Sequence, residues 1–181
     1  MRVLGIDPGS RYTGFGVVED AGGTRVRHLG HGVLALGDEE PVEDRLRLLH
    51  EGLVRALSEH RPDVVAVEDV FHARNARSAL VLGQARGVAL LAAAQCGAPV
   101  RSFAPSVIKQ AVTGTGRAEK QQVGRMVTVL LGITVEGRFD ASDALAVAIC
   151  GLLRARDPAA SAAGPRRRGD WRESLARRFA K

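Results

Sequence analysis

The stretch from Val3 to Val18, Val-Leu-Gly-Ile-Asp-Pro-Gly-Ser-Arg-Tyr-Thr-Gly-Phe-Gly-Val-Val, constrains this chain more than any other, because an apolar run ends in a carboxylate, Asp7, just before a tight turn. Val3 to Ile6 reads as a short buried strand, Pro8-Gly9-Ser10 breaks it, and Thr13 to Val18 resumes an extended run. The pattern predicts a hairpin with Asp7 at the exit of its first strand. Burying even a neutral polar group without a partner costs about 2–7 kcal/mol. Asp7 therefore calls for a cation, a cluster of donors or a metal.

A second apolar run has the same ending. Val64-Val65-Ala66-Val67 has the continuous character of a strand buried on both faces, and Glu68 closes it. If the two strands are parallel neighbours, roughly 4.8 Å apart, the two acids meet at one edge of the sheet and need a positive charge between them. Between the runs, Arg25 to Leu36 reads as a third strand closing an antiparallel meander. Asp44 to His60, with leucines at 46, 49, 53 and 57, reads as an amphipathic helix stopped by Pro62-Asp63. Asn75 to Gln95 is helical and apolar or small almost all round, which places it either in the core or at a subunit interface, with Gly83 and Gly87 permitting close approach. Val100 to Phe103 is a fifth strand, Pro105 to Val112 and Ala118 to Leu131 are helices, and Asp140 to Arg154 is the last helix. The loop Thr113 to Arg117 is glycine-rich and basic but lacks the Gly-Lys-Ser/Thr ending of a nucleotide P-loop.

Asp140 and Asp143 stand three apart in the first turn of that last helix, on one side of it. Acids there are also ordinary capping and dipole residues. Their weight comes from combination: Asp7, Glu68, Asp140 and Asp143 are four acids at the ends of apolar elements far apart in sequence. Such an oxygen-donor set suits Mg²⁺, with Mn²⁺ as a substitute. Two such ions roughly 3.5–4 Å apart can hydrolyse a phosphodiester with no side-chain nucleophile.

Charge distribution points the same way. Of the net +6, all resides in residues 154–181, with nine basic and three acidic side chains, while residues 69–125 carry eight basic and two acidic ones. Segregated basic blocks around a carboxylate pattern suggest a polyanionic partner, nucleic acid above all. With 181 residues and 45% hydrophobic content, we expect one nuclease domain over residues 1–156 and a basic, disordered tail over 157–181. No secretory or membrane-spanning segment is evident, so a cytoplasmic location is expected. Cys96 and Cys150 lack metal-binding spacing and read as small core residues.

The implied order is a three-stranded meander, then helix, strand, helix, strand and further helices, with acids on the first strand, fourth strand and last helix. This is an α/β, ribonuclease H-like arrangement with a five-stranded mixed sheet, an antiparallel meander plus two parallel strands, flanked by helices. On its motifs the chain resembles the RuvC family of bacterial Holliday-junction resolvases. Gly5-Ile-Asp-Pro-Gly-Ser-Arg-Tyr-Thr-Gly14 is similar to the family's opening motif and Val67-Glu-Asp-Val-Phe71 with Asn75 and Ser78-Ala79 to its second. Leu82-Gly-Gln-Ala-Arg-Gly87 resembles the third and Asp140-Ala-Ser-Asp-Ala-Leu-Ala146 the last. The likeness runs from Val3 to about Leu153.

The resemblance implies that Asp7, Glu68, Asp140 and Asp143 ligate two Mg²⁺ ions and that Lys109 and Lys120 assist beside the scissile phosphate. It also implies that Phe71 stacks on an unpaired base at the junction centre; Asn75, Arg77 and Arg117 are further expected DNA contacts. Asp69 is left out of the metal set, since alternation along the strand turns it from Glu68's side. The implied activity is resolution of four-way DNA junctions by paired symmetric nicks leaving 5′-phosphate and 3′-hydroxyl ends, in recombination and repair. The implied assembly is a homodimer, with the Asn75 to Gln95 helix as its interface, working with branch-migration proteins of the RuvA and RuvB type. The glycines after Asp7 are expected to make room for a close turn beside a DNA phosphate. Two other classes fit the pattern less well. An actin- or sugar-kinase-type ATPase would need a second lobe and a repeated Asp-x-Gly motif. A junction- or RNA-binding protein without catalysis would not need all four acids.

Overall fold

The computed structural model describes residues 1–37, 39–69, 75–135 and 139–156. Five strands form one sheet: β1 (Arg2–Asp7), β2 (Tyr12–Asp20), β3 (Val26–Ala35), β4 (Val64–Glu68) and β5 (Val100–Phe103), in the order β3-β2-β1-β4-β5. β1 pairs antiparallel with β2 and β2 with β3, whereas β4 runs parallel to both β1 and β5. The expected meander and parallel pair are thus both present. The helices are α1 (Val42–His60), α2 (Ala76–Gln95), α3 (Pro105–Thr113), α4 (Lys120–Leu131) and α5 (Phe139–Arg156).

The central strands are apolar throughout because both faces are covered. Leu4, Ile6, Val65 and Val67 pack with Leu49, Leu53, Ala85 and Ala89 of α1 and α2. Val3, Val64 and Ala66 pack on the other face with Ile108, Val123 and Val127 of α3 and α4 and with much of α5. Side chains alternate between faces along a strand. Asp7 follows Val3 and Gly5 in phase, and Glu68 follows Val64 and Ala66, so both carboxylates fall on the α5 side.

Glycines let α5 reach that face. Gly5 and Gly16 are cross-strand partners, and Gly14 faces Asp7. A Cβ on Gly5 would overlap the Ala144 carbonyl and Ala148 backbone nitrogen, one on Gly14 the Asp140 carbonyl, and one on Gly16 would lie 2.8 Å from Leu145 Cα. The helix backbone lies directly on the sheet. The expectation that the glycines after Asp7 make room for a close turn beside a DNA phosphate holds for the turn at Gly9 alone. Gly14 and Gly16 make room for α5, and Gly9 serves its own turn, where a Cβ would strike the Tyr12 carbonyl.

Three further differences are local. α4 starts at Lys120, two residues later than the periodicity suggests, because Glu119 is extended and acts as its N-cap. Cys96 is exposed, not a core residue, because it lies past the last buried turn of α2 at Ala92 and Ala93, whereas Cys150 is buried. α2 itself is less buried than its composition suggests. Its small residues Ala85, Ala89, Ala92 and Ala93 face the core, while Leu80 and Leu91 are 64% and 53% exposed. Among the described residues, no helix is long and apolar enough to cross a membrane.

Candidate active site

The register of the parallel pair aligns Ile6 with Val67, so Asp7 and Glu68 leave adjacent strands at the same step. α5 delivers Asp143 from its first turns, and the α3 and α4 helices deliver Lys109 and Lys120. Asp7, Glu68, Asp143, Lys109 and Lys120 all line one open cavity of about 300 Å³, with Pro105, Ile108, Val123 and Ala146 as its apolar wall. Five of the six residues predicted to be catalytic are brought together. Asp140 is not part of that lining. Three residues turn a helix by about 300°, leaving a 60° offset, yet the Asp140 charge still acts on both Lys120 and Asp143.

The electrostatics are those of a site short of positive charge. Burial, then the negative charges of Glu68 and Asp143 and a side-chain hydrogen bond with Glu68, hold the Asp7 carboxyl well above the usual aspartate range. Glu68 is raised by burial, with the Asp7 hydrogen bond, Lys120 and Lys109 working against the rise. Asp143 is raised by burial despite its ion pair with Lys120, whose Nζ lies 2.6 Å from Oδ2. Burial works against the Lys120 ammonium, but Asp143, Asp7 and Asp140 outweigh it and raise its pKa. Lys120 also sits 5.4 Å above the Phe139 ring.

The mutual contact of Asp7 and Glu68 and the Lys120 ammonium on Asp143 are the interactions that a cation would replace. Among the described residues, no three His, Cys, Asp or Glu side chains converge tightly enough, as they stand, to hold an ion. The donor set nevertheless fits a hard divalent cation: buried, all-oxygen, and raised in pKa first by burial and then by neighbouring negative charge. Asp69 stays outside this cavity, ion-paired to Arg86 of α2, whose Nη2 also donates to Ser102 Oγ at 3.0 Å.

A family model for the crossover junction endodeoxyribonuclease RuvC matches residues 3–151. The chain belongs to the RuvC family. The crossover junction endodeoxyribonuclease RuvC of Myxococcus xanthus is 58% identical to it over 173 residues, covering 93% of this chain and 90% of that one. The solved structure of T. thermophilus RuvC in complex with Holliday junction substrate matches it with a TM-score of 0.80 at 38% identity, over 86% of this chain and 95% of that one. The yeast mitochondrial Holliday junction resolvase Ydc2, with a TM-score of 0.59 at 15% identity over 82% of this chain and 77% of that one, shares the fold. RuvC-family nucleases depend on a divalent metal in general, and the carboxylate cavity is where this chain has the donors for one.

The remaining RuvC-type positions separate. Phe71 lies outside the described residues. Asn75 is the N-cap of α2, its Oδ1 accepting from the Ser78 amide at 2.9 Å, so its side chain has a structural task that the sequence reading did not assign. Arg117 is exposed in the loop joining α3 and α4. Arg77 lines a different cavity, beside the β1–β2 turn, together with Arg11 and Arg45. Sequence reasoning missed Arg11 and Arg45. The available signal was a basic residue in the first turn of α1, against the helix dipole.

Proposed function

We propose that this chain is a structure-selective endodeoxyribonuclease that resolves four-way DNA junctions by paired symmetric nicks, leaving 5′-phosphate and 3′-hydroxyl ends. The observation that carries the reading is the convergence of Asp7, Glu68 and Asp143, from three separate elements, on one cavity with two lysines. Asp7, Glu68, Asp143 and Asp140 would hold two Mg²⁺ ions, for which Mn²⁺ can substitute. The chemistry that such a pair supplies is activation of water and stabilisation of the departing 3′ oxygen.

The chain's own groups do the rest. Lys109 and Lys120 set positive charge against the scissile phosphate, Lys120 exchanging its present hold on Asp143 for a phosphate oxygen. Pro105, Ile108 and Val123 limit water on the closed side of the cavity and so strengthen these interactions. Phe71 stacks on an unpaired base, worth about 1–3 kcal/mol, while Asn75, Arg77 and Arg117 contact the DNA near it. Paired nicks call for two sites related by a two-fold axis. The outward stripe of α2, Leu80, Gly83, Gly87 and Leu91, supports the homodimer interface there, since a Cβ added at either glycine would meet nothing within 4 Å among the described residues. Residues 1–156 form the nuclease domain, and the basic side chains of 157–181, which lie outside the described residues, add sequence-independent phosphate affinity. Branch-migration proteins of the RuvA and RuvB type are its partners, and the cytoplasm its compartment.

The test is a synthetic four-way junction incubated with Mg²⁺ and either wild type or Asp7→Asn. Paired symmetric nicks by wild type, with the variant binding but not cutting, are expected. Equal cutting by both would overturn the metal assignment, and binding without cutting by wild type would favour a non-catalytic junction binder. Mg²⁺ should also raise the melting temperature of wild type and not of the variant.

A further inference from the structure

The second cavity, about 260 Å³, is enclosed by the β1–β2 turn and the first turns of α1 and α2. Arg11, Arg45 and Arg77 line it with Ser10 and Ser78, and no Asp or Glu is among the described residues that do. Arg45 donates from Nη2 to the Ser10 carbonyl, which anchors it across the turn, while its Nε is buried with no hydrogen-bond partner among the described residues. Arg45 and Arg77 both stand at the positive ends of helices, Arg77 in a first turn that contains no acid to offset it. Such a placement breaks the local charge rule, and proteins break local rules chiefly where a ligand restores the balance. Planar guanidinium forks and hydroxyl donors around one concavity match the oxygens of a phosphate group.

The location narrows the ligand. Ser10 lies three residues after Asp7, so their Cα atoms are at most about 11 Å apart. Phosphates of one strand advance about 3.4 Å along the duplex axis per nucleotide. We propose that the Arg11, Arg45 and Arg77 pocket seats a second backbone phosphate of the DNA, within about three nucleotides of the scissile one, and thereby sets the register of the strand over the carboxylate cavity. The inference rests on the reading of this chain as a junction nuclease. It adds a named phosphate seat on the side of the β1–β2 turn away from the carboxylates.

The experiment scans a four-way junction with single methylphosphonate linkages and measures binding by the full-length chain, wild type and R11Q/R77Q, across a salt series. Arg45 is left intact because it braces the turn. One neutral linkage near the cut should weaken wild-type binding by about tenfold or more and cost R11Q/R77Q nothing further. The slope of log affinity against log salt should fall by about 0.9 in the variant, the value for one phosphate contact. R55Q/R61Q removes equal charge from the far end of α1 and should keep its sensitivity to that linkage. Arg77→Gln alone, at an exposed position, serves if the double variant does not fold. If every linkage weakens R11Q/R77Q as much as wild type, or if R55Q/R61Q loses the same sensitivity, the pocket assignment is overturned. If wild type neither prefers four-way junctions over linear duplex nor cuts them with Mg²⁺, the underlying function fails as well, which is a separate and recognisable outcome.

Discussion

The two ends of the sheet use the same residue types to opposite effect. At the end remote from the cavity Glu19 and Asp20 each have an arginine. Glu19 receives Arg27 and, at 3.3 Å, Arg2, while Asp20 receives Arg156 through Nη2 at 2.6 Å and Nε at 3.0 Å. The Arg27 hydrogen bond holds Glu19 below its usual range, and the Arg156 hydrogen bond lowers Asp20 to about 2. At the cavity end, three carboxylates share the lining with Lys109 and with Lys120, which is ion-paired to Asp143, and burial pushes all three up. α5 connects the two, about 27 Å long at 1.5 Å per residue. It offers acids at its N-terminus and Arg156 at its C-terminus, both in accord with its dipole. Where charge is matched within the chain it fastens the fold. Where it is left unmatched, the chain is prepared for something it does not itself contain.

Asp7→Asn separates the two ends most sharply. Metal ions contribute several kcal/mol of transition-state stabilisation, so at tenfold per 1.36 kcal/mol cleavage should fall on the order of 10³-fold. Stability should move the other way. A carboxyl whose folded pKa is raised contributes stability that is complete below its unfolded value, 3.8, and lost as pH rises through the folded value. An asparagine stays neutral, so in metal-free buffer at neutral pH the variant should melt above wild type, with the two converging at acid pH. Calorimetry showing the variant less stable at neutral pH would break the comparison.

Lys120→Gln sharpens it from the cation side. Removing the ammonium from Asp143 raises the carboxylates further, so the acid limb of the pH–rate profile should shift to higher pH, with activity near neutrality lower by about 10²-fold. An unmoved limb would show that Lys120 does not share the field of the acids. Gly5→Ala probes what brings the ends together. Its Cβ would overlap the α5 backbone at Ala144 and Ala148, and overpacking of that kind costs about 1–3 kcal/mol in denaturant unfolding. Gly83→Ala in the open face of α2 should show no such cost in the monomer.

The smallest effect belongs to the remote end. Arg156→Gln should lower the melting temperature slightly at neutral pH. Asp20 has a depressed pKa, so its contribution is present above about 3.8 and fades as pH falls through about 2. The difference from wild type should therefore disappear in acid, opposite in sign to the pH dependence at the cavity. A difference that persists below pH 2 would assign the loss to packing of the side chain instead.

Much of this was legible without coordinates. β1 and β4 could be read as neighbours because continuous apolar runs that each end in an acid have few alternatives in a sheet covered on both sides, and Asp69 could be set aside by alternation alone. The purpose of Gly5, Gly14 and Gly16 could not be read, since nothing near them in sequence announces α5, some 130 residues on. Cys96 was misjudged because composition does not show where the buried stripe of α2 stops. The Arg11, Arg45 and Arg77 pocket draws single residues from three elements, and no window of the chain contains a pattern for it.

By itself, the sequence determined the elements and the chemistry available to them: five strands, the helices between, four acids at element ends, and the family. Periodicity and strand alternation are local properties and carry the elements, while the motif resemblance carries the family. Only the tertiary structure decided which charges are satisfied. It clamps Asp20 under Arg156, gathers Asp7, Glu68 and Asp143 in one cavity with Lys109 and Lys120, leaves Asp140 out of that lining, and collects three arginines beside the β1–β2 turn. The physical reason is that the state of a carboxylate depends on its burial and on the charges within a few ångströms of it, and those neighbours come from distant parts of the chain.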